Sequence, residues 1–271
     1  MDKPESLGQF LIWKPPYIRT LIGSNILIPQ GKLILCGAYK SWKSMTAMDL
    51  AFCLSMGRPW FGLPTVKSTV LVIQLEIPKA AYQDRVKKYY FNHEGQPIDN
   101  LYFITAHNLK IDKPWGRDTL KMWIDMTQAQ IVVIDPAYKV ISGHLIDEYD
   151  VGRFTDTTDE IIDEKKVAFI IVHHEGKTMY AEGEAVDRGA DASYGSAKFG
   201  WWTDTQINLK TQGIGSPIVD ISFPLLRLAV NEIPSFTFKV DRDTLKFNME
   251  IKEVQREPSA QGTEPNQGKE T

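Results

Sequence analysis

The sequence predicts an α/β fold, with a mostly parallel sheet, helices on both faces and antiparallel strands added at the C-terminal edge. Between residues 32 and 172, apolar runs of strand length alternate with segments of helical spacing. This alternation is typical of parallel strands joined by right-handed crossovers. After Gly200, short strand-like runs follow one another closely, which indicates antiparallel pairing.

The strands of the parallel part are nearly continuous apolar runs, which indicates burial on both faces. The predicted strands are Lys32–Cys36, Thr69–Leu75, Leu101–Thr105, Ile131–Ile134 and Ala168–Val172. The predicted helices between them are Ser44–Met56, Pro78 to about Phe91, Asp118–Met126 and Val151–Lys165. Gly57 is placed to end the first of these helices, and Asp118 to cap the third at its N-terminus.

The C-terminal part contains five further strand-like runs. They are Thr205–Leu209, Ile218–Phe223, Leu225–Val230, Ser235–Val240 and Leu245–Ile251. We expect residues 31–255 to form one core domain and residues 1–30 to form an N-terminal arm that packs on it. Residues 256–271 have no apolar side chain beyond Ala and Pro, which predicts a disordered tail.

The composition narrows the functional classes. The chain has 271 residues and a net charge of −3, so binding to nucleic acid would need a local basic patch. Cys36 and Cys53 lie in apolar segments without a zinc-type spacing, which predicts buried thiols in a reducing compartment. The N-terminus lacks the features of a signal peptide, and no apolar run reaches the length of about 18 residues that a membrane span needs. We therefore expect a cytoplasmic protein without a membrane partner.

Residues 37–44 form the most informative motif. They read Gly-Ala-Tyr-Lys-Ser-Trp-Lys-Ser between an apolar strand and a helical pattern, which is the layout of the phosphate-binding P-loop, G-x-x-x-x-G-K-[ST], with tryptophan replacing the second glycine. Backbone N–H groups at the helix N-terminus attract phosphate, a lysine pairs with the β- and γ-phosphates, and a serine ligates Mg²⁺. The alternative is a strand–turn–helix without a ligand. The predicted nucleotide-binding residues are Gly37, Ala38, Tyr39, Lys40, Ser41, Trp42, Lys43, Ser44 and Met45.

Carboxylates follow two of the predicted strands. Asp135 comes directly after Ile131–Ile134, which is the Walker-B arrangement and adds Asp135 to the nucleotide and metal residues. Glu76 comes directly after the strand that follows the P-loop helix, where a carboxylate can deprotonate water for attack on the γ-phosphate. Taken alone, Asp135 can be a turn former and Glu76 a helix-entry residue before Pro78.

His173 and His174 end the last strand of the parallel part. Neighbouring strand residues point to opposite faces of a sheet, so only one of them can face the nucleotide. By position we choose His174 as a sensor of the γ-phosphate, and the alternative is a structural histidine.

The segment 175–200 that follows is long, polar and rich in glycine, which is typical of a functional or mobile loop. Lys177, Arg188 and Lys198 are candidate contacts to DNA phosphates. Five acidic residues in the same segment oppose this interpretation, and the alternative is a disordered insertion.

The order of these motifs resembles the RecA-like ATPases of the plasmid-type hexameric replicative helicase family. The resemblance covers roughly residues 20–250, and its most specific part is His-His-Glu-Gly-Lys, which ends at Lys177. It implies a RecA-like P-loop NTPase fold in which Glu76 is the catalytic base, His174 the sensor and Asp135 the Walker-B acid. It also implies an arginine finger on the late strands, for which Arg227 is the best candidate and Lys210 the alternative.

The resemblance further implies ATP and Mg²⁺ as ligands and a homo-oligomeric, hexameric ring on single-stranded DNA. The expected activity is that of a replicative DNA helicase driven by ATP hydrolysis. Two alternatives stay open. One is a RecA-like recombination mediator or helicase loader that uses ATP as an assembly switch, and the other is a nucleotide-binding protein without turnover.

Overall fold

A computed structural model describes residues 3–14, 19–93, 95–174, 180–181, 184–185, 198–229 and 231–250. The helices are α1 (Leu7–Ile12), α2 (Lys43–Met56), α3 (Lys79–Asn92), α4 (Pro114–Thr127), α5 (Glu148–Lys165) and α6 (Lys198–Trp202). The strands are β1 (Lys32–Gly37), β2 (Val70–Gln74), β3 (Leu101–Thr105), β4 (Ile131–Asp135), β5 (Ala168–His174), β6 (Tyr180–Ala181), β7 (Glu184–Ala185), β8 (Thr205–Thr211), β9 (Ile218–Leu226), β10 (Phe236–Val240) and β11 (Phe247–Glu250). No helix in these ranges has both the length and the apolar composition needed to cross a membrane.

Nine strands form one sheet in the order β11–β10–β9–β8–β1–β5–β4–β2–β3. Strands β8, β1, β5, β4, β2 and β3 pair in parallel, and β9, β10 and β11 continue the sheet with antiparallel pairs. The predicted fold class is therefore confirmed, including the antiparallel edge made by the C-terminal strands. Strands β6 and β7 form a separate antiparallel pair.

Apolar layers cover both faces of this sheet. Helix α2 and Tyr82 of α3 pack on one face, and α4 and α5 pack on the other. Along β1, Leu33 and Leu35 belong to the first layer, whereas Ile34 and Cys36 belong to the second. This period of two explains why the parallel strands read as continuous apolar runs.

The helix ends test the capping predictions. Gly57 ends α2 in the left-handed region, at φ 70°, as the sequence predicts. The prediction of Asp118 as an N-cap is wrong, because α4 begins at Pro114 after the N-cap Lys113. The fixed φ of proline suits the first helical position. Asp118 therefore lies inside the helix, where its carboxylate is 3.4 Å from Arg117.

The predicted strands Ile218–Phe223 and Leu225–Val230 are in fact one strand, β9, which runs through Pro224. Its pairing with β8 shifts between Gln206 and Asn208. Proline lacks the N–H that a regular ladder requires, and a bulge removes this requirement. The prediction of a strand end at Pro224 is therefore wrong, and the irregular register is the reason.

The predicted N-terminal arm has two parts. Leu21 and Ile22 are buried in the layer beneath α2. Helix α1, in contrast, buries none of its residues, and Phe10 is 62% exposed. The expected tail, residues 256–271, lies outside the described residues, and the domain boundaries stay predictions.

Candidate nucleotide-binding site

The P-loop, both carboxylates and His174 meet at one edge of the sheet. The carboxyl ends of the parallel strands β1, β5, β4 and β2 share this edge, which is where open α/β sheets bind ligands. A cleft of about 1020 Å³ opens there. The predicted residues that line it are Tyr39, Lys40, Ser41, Trp42, Lys43, Ser44, Met45, Glu76, Asp135 and His174.

The other two predicted P-loop residues, Gly37 and Ala38, lead from β1 into a tight turn. The hydroxyl of Ser41 donates to the carbonyl oxygen of Ala38 at 2.8 Å. A β-carbon at Gly37 would lie 2.5 Å from this hydroxyl and 2.6 Å from the carbonyl oxygen of Leu209. The first glycine of the motif is therefore required by close approach of other atoms.

Lys43 opens α2 and is only 5% exposed. Its ammonium donates to the carbonyl oxygen of Ala38 at 2.5 Å and to the hydroxyl of Ser41 at 3.3 Å. These bonds place the positive charge at the N-terminus of a 14-residue helix, where free N–H groups and the helix dipole also favour anions. The turn thus has the chemistry of a phosphate site.

Trp42 occupies the position of the missing glycine with φ 66° and ψ 13°. Glycine is the usual residue in this left-handed region. The indole N–H donates to the carbonyl oxygen of Ser216 at 2.7 Å, and the ring packs against two apolar clusters. These contacts offset a backbone conformation that costs about 1–3 kcal/mol, so the loop keeps its turn with tryptophan in place.

Asp135 ends β4, and its carboxylate accepts a hydrogen bond from the Ser44 hydroxyl at 3.1 Å. Burial raises the pKa of the Asp135 carboxyl group to about 6, Ser44 opposes the rise, and Glu76 adds to it. A hydroxyl and a carboxylate are oxygen donors that Mg²⁺ takes together with phosphate oxygens and water. The pair therefore fits the predicted metal role, and a cation would favour the ionised carboxylate.

Glu76 is exposed in the cleft, and Tyr138 donates its hydroxyl proton to the Glu76 carboxylate at 2.6 Å. The Tyr138 ring centroid lies 5.6 Å from that of the half-buried His174. Burial lowers the pKa of His174, the Lys43 ammonium lowers it further, and Glu76 opposes both. The imidazole is thus neutral at pH 7, with one nitrogen as donor and the other as acceptor.

His173 faces the other side of the sheet. It is 1% exposed, and its ring centroid lies 4.6 Å from that of Phe199 in α6. The prediction that His174 faces the cleft is confirmed, while its role as a sensor stays a prediction.

The sequence analysis missed four polar residues of the cleft. Tyr138 lies in a 3₁₀ turn after Asp135, and Arg85, Lys88 and Arg242 also line the cleft. The charge of Arg85 acts on the Asp135 carboxyl group and opposes its raised pKa. Arg85 and Lys88 are spaced i, i+3 on α3, which was the one available signal, since such neighbours share a helix face.

Other residues singled out in the sequence lie away from the P-loop. Arg227 follows β9 at the opposite end of the strands, and its guanidinium donates to the carbonyl oxygens of Gly200 and Trp201 at 3.2 and 2.7 Å. Asp204 accepts the first backbone N–H of β1 at 2.9 Å, which is a structural role. Lys210 is exposed near the end of β8, at the P-loop edge. A role for Arg227 in a neighbouring subunit stays a prediction.

The predicted DNA contacts are not brought together in the described residues. Lys198 begins α6 and lies against α5, where a β-carbon at Gly152 would be 2.9 Å from the Lys198 ammonium. Lys177 and Arg188 lie outside the described residues, so their contact with DNA stays a prediction.

Comparison with known proteins gives the class of the molecule. The family described as "AAA domain" matches residues 3–179, well over half of the chain, and this stretch includes the P-loop, both carboxylates and His174. The chain belongs to this AAA domain family. No curated protein matches the sequence.

Solved structures give the fold of this AAA domain. Among the 496 matching chains, the ATPase domain of a replicative helicase aligns with a TM-score of 0.60 and 12% sequence identity, over 82% of this chain and 85% of that chain. A likeness at this identity shows the fold alone. Family and fold together make the protein a RecA-like P-loop ATPase that resembles the replicative helicases, as the sequence predicts.

Proposed function

We propose that the protein hydrolyses ATP in this cleft and uses the turnover to move along single-stranded DNA as a hexameric replicative helicase. The observation that supports it most is the convergence of Lys43, Ser44, Glu76, Asp135 and His174 on one cleft of an AAA domain. These side chains have the acid, base, cation and metal-ligand chemistry that phosphoryl transfer requires.

The P-loop binds the phosphates in this proposal. The Lys43 ammonium and the N–H groups of α2 contact the β- and γ-phosphates. Ser44 and Asp135 would hold Mg²⁺, which supplies charge neutralisation on the phosphates when it is bound. Arg85 is exposed in the same cleft and adds positive charge from the same chain.

Glu76 prepares the nucleophile. Its carboxylate is held by the Tyr138 hydroxyl and is free on the cleft side to orient a water and accept its proton. The neutral His174 ends β5 beside Tyr138, where it can donate a hydrogen bond to the γ-phosphate. The presence or loss of that phosphate is then passed directly to the strand that leads into residues 175–197.

The ring and the DNA contact rest on the resemblance and on where the cations lie. Lys210 is exposed at the P-loop edge, in a place from which it can reach a neighbouring subunit. The net charge of −3 restricts DNA binding to a local patch, for which Lys177, Arg188 and Lys198 are the proposed members.

The experiment measures ATP turnover by the full chain with and without single-stranded DNA. Wild type and Lys43→Ala are compared with Lys87→Ala, a control on the outer side of α3 whose ammonium is bonded to Gln83. We expect DNA to stimulate the wild type and the control, and Lys43→Ala to lose turnover by about 100-fold or more. Equal rates in wild type and Lys43→Ala would contradict the site.

A forked DNA substrate separates the motor from its alternatives. Strand displacement that requires ATP supports the helicase. DNA-stimulated turnover without displacement favours a mediator or loader, and ATP binding without turnover in the wild type favours a nucleotide-binding protein.

A further inference from the structure

The cleft has a second end beyond the P-loop that the phosphates do not require. It is formed by the turn between β8 and β9 and the turn between β10 and β11, which contribute Ile214, Gly215, Arg242 and Leu245. Ile214 is 85% exposed at the rim, and Leu245 is buried behind it. This end therefore combines apolar surface with one guanidinium group.

Arg242 is held in one orientation by three contacts. Its guanidinium donates to the carbonyl oxygen of Gly215, and its own carbonyl oxygen accepts from the Lys88 ammonium at 2.8 Å. The guanidinium carbon lies 5.9 Å from the ring centroid of Trp42. One face of this planar group is thus turned to the indole, and the opposite face is free for another flat group.

Trp42 holds this arrangement together. Its indole N–H is bonded to Ser216 in the same turn that holds Arg242, at 2.7 Å, while its backbone caps the P-loop helix in the left-handed region. A strained residue with specific contacts on both sides is a candidate for a functional role. The contacts connect the phosphate end of the cleft to the two turns.

We propose that Arg242 and Trp42 form a nucleobase subsite, in which the base of the nucleoside triphosphate stacks on the free face of the Arg242 guanidinium. Trp42 is the positioning residue, since it carries the guanidinium on its ring and fixes the turn through Ser216. This inference rests on the proposed function, because it needs the triphosphate in the P-loop. It explains why tryptophan is placed where the motif has glycine.

The test compares two ligands that share the phosphates and differ in the base. The affinities of ATP and of inorganic tripolyphosphate, each with Mg²⁺, are measured by calorimetry on the full chain. We expect Arg242→Ala and Arg242→Lys to weaken ATP about tenfold, because stacking on a planar group is lost in both. Tripolyphosphate affinity should change less than about twofold in either variant. Lys239→Ala, an exposed cation on β10 outside the cleft, is the control for loss of charge.

Each other outcome overturns the subsite. An equal loss for both ligands would mean that Arg242 contacts phosphate, recovery in Arg242→Lys would mean that charge suffices, and no loss for either ligand would mean no contact. If the wild type binds neither ligand, the proposed function itself fails. If the wild type binds both and the Arg242 variants are not selective, only the subsite fails.

Trp42→Gly tests the positioning role, because it restores the glycine of the motif and removes the indole. We expect it to keep tripolyphosphate binding and to weaken ATP to the extent that Arg242→Ala does. Thermal unfolding of the variant shows that it is folded, and Trp42→Phe, which keeps a ring without the N–H, should fall between the two. Unchanged ATP affinity in folded Trp42→Gly would remove Trp42 from the subsite.

Discussion

The carboxyl group of Asp135 is buried at the edge of the sheet, and burial is the main cause that raises its pKa to about 6. The unfolded chain has the ordinary value of 3.8, so the native state binds more protons between these two values. Stability from this group is fully present below pH 3.8 and is lost as the pH rises through about 6. The metal site is therefore kept at a cost to the fold.

Asp135→Asn should stabilise the protein at neutral pH. The amide oxygen can still accept from Ser44, and the buried charge is removed. We expect a gain of about 1–3 kcal/mol in the free energy of unfolding at pH 7.5, and a smaller gain at pH 5. Urea unfolding at the two pH values measures it, with the exposed Asp118→Asn as control. A variant less stable than wild type at pH 7.5 would contradict the assignment.

The sequence predicts the residues whose position is fixed by a strand end. Lys43, Ser44, Glu76 and Asp135 each follow an apolar run closely, and parallel strands bring such ends to one edge. Tyr138, Arg85 and Arg242 come from a 3₁₀ turn, a helix and a late turn, so their distance from the P-loop depends on packing that no local spacing encodes.

At the scale of helices and strands, burial decides which predictions hold. Buried strands and the Gly57 end of α2 are read from local chemistry. The start of α4 and the path of β9 are not, because Pro114 can open a helix and Pro224 can lie in a bulge. Proline marks an irregularity in each case, and the neighbouring element decides which one.

Helix α1 should contribute little to the stability of the core, since none of its residues is buried. Replacing its four large apolar side chains with serine should change the free energy of unfolding by less than about 0.5 kcal/mol. These are Leu7, Phe10, Leu11 and Ile12. Ile22→Ala, at a fully buried position, should cost about 2–5 kcal/mol. A loss near that size in the α1 variant would show that α1 packs on the core.

The whole molecule places its cations unevenly. The P-loop edge carries Lys43, Arg85, Lys88 and Lys210, whereas Arg227 lies at the opposite edge with its guanidinium donating to two carbonyl oxygens. The order of strands decides this distribution, and the sequence does not encode it in any short segment. Of the two candidates for a finger, Lys210 is therefore the one that we expect to act across a subunit boundary.

Mixed rings test the shared site. Lys210→Ala and Lys43→Ala subunits should each be inactive alone, and a mixture should recover activity, because some boundaries join an intact P-loop to an intact Lys210. The same mixture made with Arg227→Ala shows whether Arg227 acts instead. A mixture that stays as inactive as its components, in both cases, would exclude a site shared between subunits.

The central claim is that Glu76 activates water for attack on ATP held by the P-loop. The most direct test measures both ATP affinity and single-turnover hydrolysis in Glu76→Gln, which keeps the shape of the side chain and removes the base. We expect ATP affinity within about threefold of wild type and hydrolysis slowed by about 100-fold or more. Weakened ATP binding with hydrolysis of the bound fraction at the wild-type rate would contradict the account.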